Sequence, residues 1–154
     1  MAAIIQKESN FTPNAQSPYG AKGLMQLVSG TGKRFGATNL FDPVQNVDAG
    51  VQYLNYLRNF WQSKIQDPAE LNHFVLASYN SGLGHIIDAR KLAEKYNANP
   101  NVWNDNAAAY LLKKAEPTYY KDPVCKLGYC KGKETIAFVQ SVMTKYQEYQ
   151  LISP

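Results

Sequence analysis

Glu8 is the only acidic residue ahead of Asp42 in a chain of 154 residues. It follows a short apolar run, Ala3-Ile4-Ile5, and precedes Ser9 and a loop rich in Pro, Asn, Ser and Gly. That loop leads to Gly23-Leu24-Met25-Gln26, and far downstream stands Ala77-Ser78-Tyr79-Asn80-Ser81-Gly82. One carboxyl on a helix end, facing a loop dense in hydrogen-bonding groups, suits proton transfer by a general acid. In a partly apolar cleft, desolvation of the charged form would raise its pKa and keep a proton available near neutral pH. Each feature also has a plainer reading. Glu8 alone is a solvated helix-end glutamate, Gln26 an exposed helix residue and Met25 a core filler. Tyr79 alone is core, and Asn80 an ordinary helix-end residue before Ser-Gly.

The elements that must position these residues read as helical. Ala2 to Ser9 is a short first helix, and Asn10 to Tyr19, with two prolines, is loop. Gly23 to Phe35 is expected as a helix with Leu24, Leu27 and Val28 on one side, ended by Gly36. Asn46 to Ser63 is amphipathic, with Val47, Val51, Leu54, Tyr56, Leu57, Phe60 and Trp61 at helical spacing. Asp42-Pro43 and Asn46 are its start signals. Asp67-Pro68 opens the next helix, with Pro at its favoured first position. It runs to Tyr79 and breaks at Ser81-Gly82-Leu83-Gly84. Ile86 to Tyr96 and Trp103 to Ala115 are further helices around a turn at Asn97 to Asn101. Pro117 to Lys133 is irregular. Thr135 to Tyr149 closes the chain, with Ile136, Val139, Val142, Met143 and Tyr146 inward. No repeat and no β alternation is legible.

Composition bounds the function classes. The length suits one domain, and 45% hydrophobic with 18% charged residues is an ordinary globular balance. The net charge of +4 is spread along the chain. Lys33-Arg34 and Lys113-Lys114 fall short of the basic stripe a nucleic-acid binder shows, whereas mild attraction to an anionic cell-wall polymer fits. Eleven tyrosines offer faces for sugar stacking, although most are expected as core or boundary residues. No apolar run approaches the roughly 20 residues of a membrane span. The apolar start at Met1 to Ile5 is abrupt, so the chain is expected to be a domain cut from a longer protein. Cys125 and Cys130 lack a second Cys pair, and neither His73 nor His85 stands at zinc-finger spacing from them, so no metal site is expected. Either a small-loop disulfide or two reduced thiols fits them.

Taken together, the motifs resemble the catalytic domain of the lytic transglycosylases, goose-lysozyme-like enzymes that cleave peptidoglycan. The family pattern is Glu-Ser, an aromatic residue and Pro, then Ser-x-x-Gly-Ala-x-Gly-Leu-Met-Gln, then a distal Ala-Tyr-Asn. Here these read Glu8-Ser9-Asn10-Phe11-Thr12-Pro13, Ser17-Pro18-Tyr19-Gly20-Ala21-Lys22-Gly23-Leu24-Met25-Gln26 and Ser78-Tyr79-Asn80. Ser78 in place of Ala is the one departure. The later stretches Gly84 to Ala93, Asn99 to Trp103, Tyr119-Tyr120 and Gly128 to Glu134 resemble a membrane-bound subgroup of these enzymes. Members of that subgroup carry an N-terminal domain resembling periplasmic solute-binding proteins.

The resemblance implies an all-α, lysozyme-like single domain and cleavage of the MurNAc-β-1,4-GlcNAc bond. The product would be 1,6-anhydro-MurNAc, with no water consumed and no cofactor. Glu8 would act as acid and then as base. Ser17 and Gln26 would bind the sugar or its N-acetyl group, Tyr79 would hydrogen-bond near Glu8 or the reacting ring, and Asn80 would shape the site. The implied partner is the peptidoglycan glycan strand, met by a monomer in the periplasm, with an outer-membrane link through the rest of the longer protein. Two alternatives stay open. A hydrolytic goose-type lysozyme would need Asp42 or Asp48 near the groove, since hydrolysis uses a second carboxylate or a positioned water. A wall-binding module would hold the glycan without cutting it.

Overall fold

The structure is a computed structural model that describes residues 1–152. Its helices are α1 (Ala2–Ser9), α2 (Ser29–Arg34), α3 (Pro43–Gln62), α4 (Pro68–Ser81), α5 (Leu83–Lys95), α6 (Ala108–Lys113), α7 (Pro117–Tyr120) and α8 (Lys133–Ile152). A wide turn at Trp103–Ala107 precedes α6. Among the described residues β geometry is confined to the isolated antiparallel bridges Gln16–Lys22 and Lys22–Leu27. No helix among them is long and apolar enough to cross a membrane. The chain forms two compact units, one of Met1–Tyr56 with the chain from Gln140 onward, the other of Leu57–Val139.

In the first unit, α3 starts where Asp42 accepts a hydrogen bond from the Gln45 N–H at 2.9 Å, with Pro43 as the first helical residue. Asn46, expected as a start signal, lies one turn inside the helix and is fully buried. Its Oδ1 accepts from the Met25 N–H, and its amide donates to the carbonyls of Lys22 and Leu40. A buried polar side chain with every group paired fixes geometry without a desolvation penalty left over. Tyr56, expected inward, is instead exposed, and the Arg34 guanidinium lies 4.5 Å from its ring centre. Tyr146 of α8 is likewise exposed rather than inward. The Tyr149 hydroxyl donates to Gln6 Oε1 at 2.6 Å, tying α8 to α1.

The second unit is built on a row of buried aromatics. Trp61 and Phe74 have ring centres 5.2 Å apart, and Phe74 and Trp103 5.7 Å. The Asp67 carboxylate caps α4 by accepting from the Ala69 N–H. Gly82, at φ +92°, separates α4 from α5, which begins at Leu83, three residues earlier than the sequence reading. Ser78, the departure from the family pattern, is fully buried and accepts the Trp61 indole N–H at 2.9 Å. Asp88 on α5 and Lys114, just past α6, form a buried ion pair at 2.8 Å. Asp88 also accepts from the backbone N–H groups of Lys126 and Leu127. Burial pushes its pKa up, but the Lys114 hydrogen bond and the two N–H groups outweigh this and hold the carboxyl below its ordinary value. The pair therefore fastens the segment read as irregular, which also contains the short α7. Cys125 and Cys130 are free, half-buried thiols; the bridge held open by the sequence is not formed.

Candidate active site

Glu8 lies in the last turn of α1, on the same face as Ile4 and Ile5, because residues three and four apart stack on a helix. Ala3, Ile4 and Ile5 are buried. The Glu8 side chain shares this apolar flank, and burial raises its pKa from 4.5 to about 7, with the adjacent Lys7 opposing weakly. Among the described residues its carboxylate accepts no hydrogen bond and forms no salt bridge, so desolvation acts almost alone. A carboxyl in this state carries its proton for much of the time at neutral pH.

The chain turns sharply after Glu8. Asn10 at φ +48° and Phe11 at φ +59° are two successive left-handed residues without glycine. Asn tolerates that region through its short polar side chain, whereas Phe does not. Backbone strain of about 1–3 kcal/mol per such residue is held where surrounding structure fixes it. Ser9 supplies part of that fixing. Its hydroxyl lies 3.1 Å from the Ile5 carbonyl and 2.8 Å from the Leu24 carbonyl, joining the end of α1 to the Gly23–Gln26 segment.

That segment is not the start of a helix, contrary to the sequence reading. Gly23 has φ +76° and Gln26 φ +48°, both incompatible with a right-handed helix, and α2 begins only at Ser29. The residues form a tight loop closed by reciprocal hydrogen bonds between Lys22 and Leu27. A Cβ at Gly23 would overlap the Leu40 carbonyl and the Asn46 amide, so glycine is required by space as well as by φ. The Met25 side chain is fully buried against Gly50 of α3, whose missing side chain makes room for it. Val28, expected on the inner side of the predicted helix, is exposed.

Gln26 donates its amide protons to the carbonyls of Gly23 (2.9 Å) and Ala15 (3.1 Å). Both partners are acceptors, so the amide orientation is fixed by chemistry. Its Oε1 is left as an acceptor. Ser17 Oγ accepts from the Ala21 N–H at 3.1 Å, and the Ser17 N–H donates to the Ala21 carbonyl. Its hydroxyl proton is left as a donor. The Gln26 bond to Ala15, two residues before Ser17, brings the Ser17 turn and the Gln26 loop together. Ser9 joins that assembly to the helix end bearing Glu8.

Tyr79 and Asn80 belong to the second unit, at the C-terminal end of α4. Tyr79 is buried and Asn80 exposed. The sequence reading gave no sign of Asn46 and Gly50 as the supports of the Gln26 loop. Asn46 resembled a helix start, and only its full burial shows its role.

The model of the Transglycosylase SLT domain family matches residues 1–103. The chain is 41% identical over 147 residues to the membrane-bound lytic murein transglycosylase F of Shewanella halifaxensis, covering 95% of this chain and 30% of that protein. It is 42% identical over 147 residues to the protein of the same name from Desulfosudis oleivorans, covering 95% and 31%. It thus spans about 30% of the length of these curated relatives. In structure it is similar to the 70 kDa soluble lytic transglycosylase of Escherichia coli, with a TM-score of 0.59 and 25% identity, over 98% of this chain and 21% of that one. The expected all-α, lysozyme-like fold stands. The chain belongs to the Transglycosylase SLT domain family.

Proposed function

We propose that this chain is a peptidoglycan lytic transglycosylase domain that cleaves the MurNAc-β-1,4-GlcNAc bond to leave a 1,6-anhydro-MurNAc end. The observation that carries the reading is the Glu8 carboxyl, raised to about 7 by burial and tied through Ser9 to the loop of Gln26. Protonated Glu8 donates to the glycosidic oxygen as the bond to the anomeric carbon breaks. The substrate's own N-acetyl oxygen stabilises the electron-poor carbon. Ionised Glu8 then accepts the proton of the muramyl 6-hydroxyl, whose oxygen attacks that carbon. One carboxyl serves both steps, because the nucleophile is internal and no water needs activating.

Substrate binding is assigned to Ser17, Gln26, Tyr79 and Asn80. The free valences of two of them suit an acetamido group: Ser17 has a proton to donate to its carbonyl, and Gln26 Oε1 accepts from an N–H or hydroxyl. The hydrolytic reading needs a second carboxylate or a positioned water; Asp42 is already used in capping α3, and Asp48 is exposed on that helix. The setting is the periplasmic face of a membrane, in keeping with the membrane-bound relatives, and the acting species is a monomer. The test is mass analysis of products released from purified sacculi. Anhydro-muramyl ends support the proposal; reducing ends support hydrolysis; intact glycan supports a binding module.

A further inference from the structure

A cavity of about 440 Å3 lies beside the Gln26 loop, with Lys22, Ser29, Lys33, Thr38, Asn39 and Phe41 in its wall. Both of its charged groups are cations, and the Asn39 amide and Ser29 hydroxyl add neutral donors. Asn39 Oδ1 is used by the Phe41 N–H, which leaves its amide protons free. The Thr38 hydroxyl donates to Gln45. Among the described residues neither lysine forms an ion pair, and no carboxylate lines the cavity. The Lys22 ammonium sits 5.5 Å from the centre of the Phe41 ring, so one end of the cavity is cationic above an apolar wall that includes Ala37 and Leu40. Two cations with the donors of Asn39 and Ser29, and no carboxylate among them, are complementary to a carboxylate on a small apolar residue.

The geometry points to this cavity as a subsite for a free carboxylate of the peptide stem that hangs from the muramyl sugar. The inference rests on the proposed function. The stem leaves the sugar through its lactyl ether, beside the acetamido group assigned to Ser17 and Gln26. Lys22 is shared between the two places: its backbone closes the Gln26 loop by pairing with Leu27, and its side chain lines the cavity. A stem attached to a sugar in the site would therefore meet Lys22 first and Lys33 beyond it.

The experiment compares two soluble substrates, glycan strands with their peptides and the same strands stripped of peptides by an amidase. Lys33 is exposed on α2 and outside the assigned catalytic and sugar-binding set, so its variants should fold. At low salt, Lys33→Gln should raise KM for peptide-bearing strands about fivefold, and Lys33→Glu about tenfold, as expected for loss and reversal of a partly exposed charge contact. Lys33→Arg should stay near wild type, and no variant should change cleavage of stripped strands. The difference should shrink as salt screens the contact. Equal effects on both substrates, or none on either, would overturn the subsite. Failure of the wild-type protein to cut either substrate would instead overturn the proposed function, and the subsite with it.

Discussion

The Ser9 hydroxyl reaches the Leu24 carbonyl at 2.8 Å, so the residue after Glu8 is bonded to the loop that carries Gln26. The carboxyl and the loop are thereby set by one contact fifteen residues apart in sequence. Ser9→Ala should lower kcat more than it raises KM, because it loosens the placement of Glu8 without removing a group from substrate. The unfolding free energy should fall by about 1 kcal/mol, the net value of one hydrogen bond. A rise in KM at constant kcat would instead mark Ser9 as a substrate contact.

Ser17→Ala and Gln26→Ala should each weaken catalysis without abolishing it. Gln26→Ala also removes one of the two hydrogen bonds at each of the Gly23 and Ala15 carbonyls, which keep the backbone N–H groups of Gln26 and Gly23, and should cost about 1 kcal/mol of stability. Gln26→Glu should be worse than Ala, because it turns a carboxylate oxygen toward carbonyl oxygens. Steady-state kinetics with thermal unfolding of the three variants separates lost binding from lost fold. If Gln26→Ala were as inactive as Glu8→Gln with its fold intact, the division of roles would be wrong.

Most of the helical framework was legible in the sequence, because Asp42-Pro43, Asp67-Pro68 and Gly82 carry local start and stop chemistry. The Gln26 loop was not. Leu24, Leu27 and Val28 imitate a helical stripe, and the left-handed Gly23 and Gln26 that defeat it are held by Asn46 and Gly50, twenty or more residues away. Tertiary bonds overrode the local period. Ser78 reads as a harmless small-for-small exchange, yet it accepts a buried indole N–H. Lys114 looks like ordinary surface charge beside Lys113, but only the fold reveals Asp88 as its partner. Glu8 stands out in the sequence as the single early acid, but alone it reads as a solvated helix-end glutamate, and its role is proposed from the family resemblance; its pKa depends on burial that no spacing states.

The Trp61–Ser78 bond yields its own prediction. Ser78→Ala, which restores the residue typical of the family, should nevertheless destabilise this chain by about 1–3 kcal/mol, since it strands a buried donor. Chemical denaturation checks this, and an unchanged midpoint would mean the indole finds another acceptor.

Glu8 should cost the fold stability as pH rises. Its folded pKa is about 7 against 4.5 for the unpaired group, so the stability associated with the neutral carboxyl is fully present below about 4.5. It is lost as pH climbs through about 7, because ionisation is easier in the unfolded chain. The ceiling is roughly 3 kcal/mol for a shift of this size. Glu8→Gln, which cannot ionise, should therefore be more stable than wild type above pH 7 and nearly equal to it below pH 4.5. Denaturation midpoints across that range test the sign, and a variant less stable than wild type at pH 8 would contradict it.

The central claim is that the Glu8 carboxyl moves the proton in glycan cleavage, and turnover of purified sacculi by Glu8→Gln tests it most directly. The amide keeps the shape and lacks the transferable proton. With the fold verified by thermal unfolding, release of anhydro-muramyl products should drop by about two to four orders of magnitude, the range attributed to a general acid, while glycan binding persists. A folded Glu8→Gln protein that releases those products at a rate close to wild type would contradict the assignment.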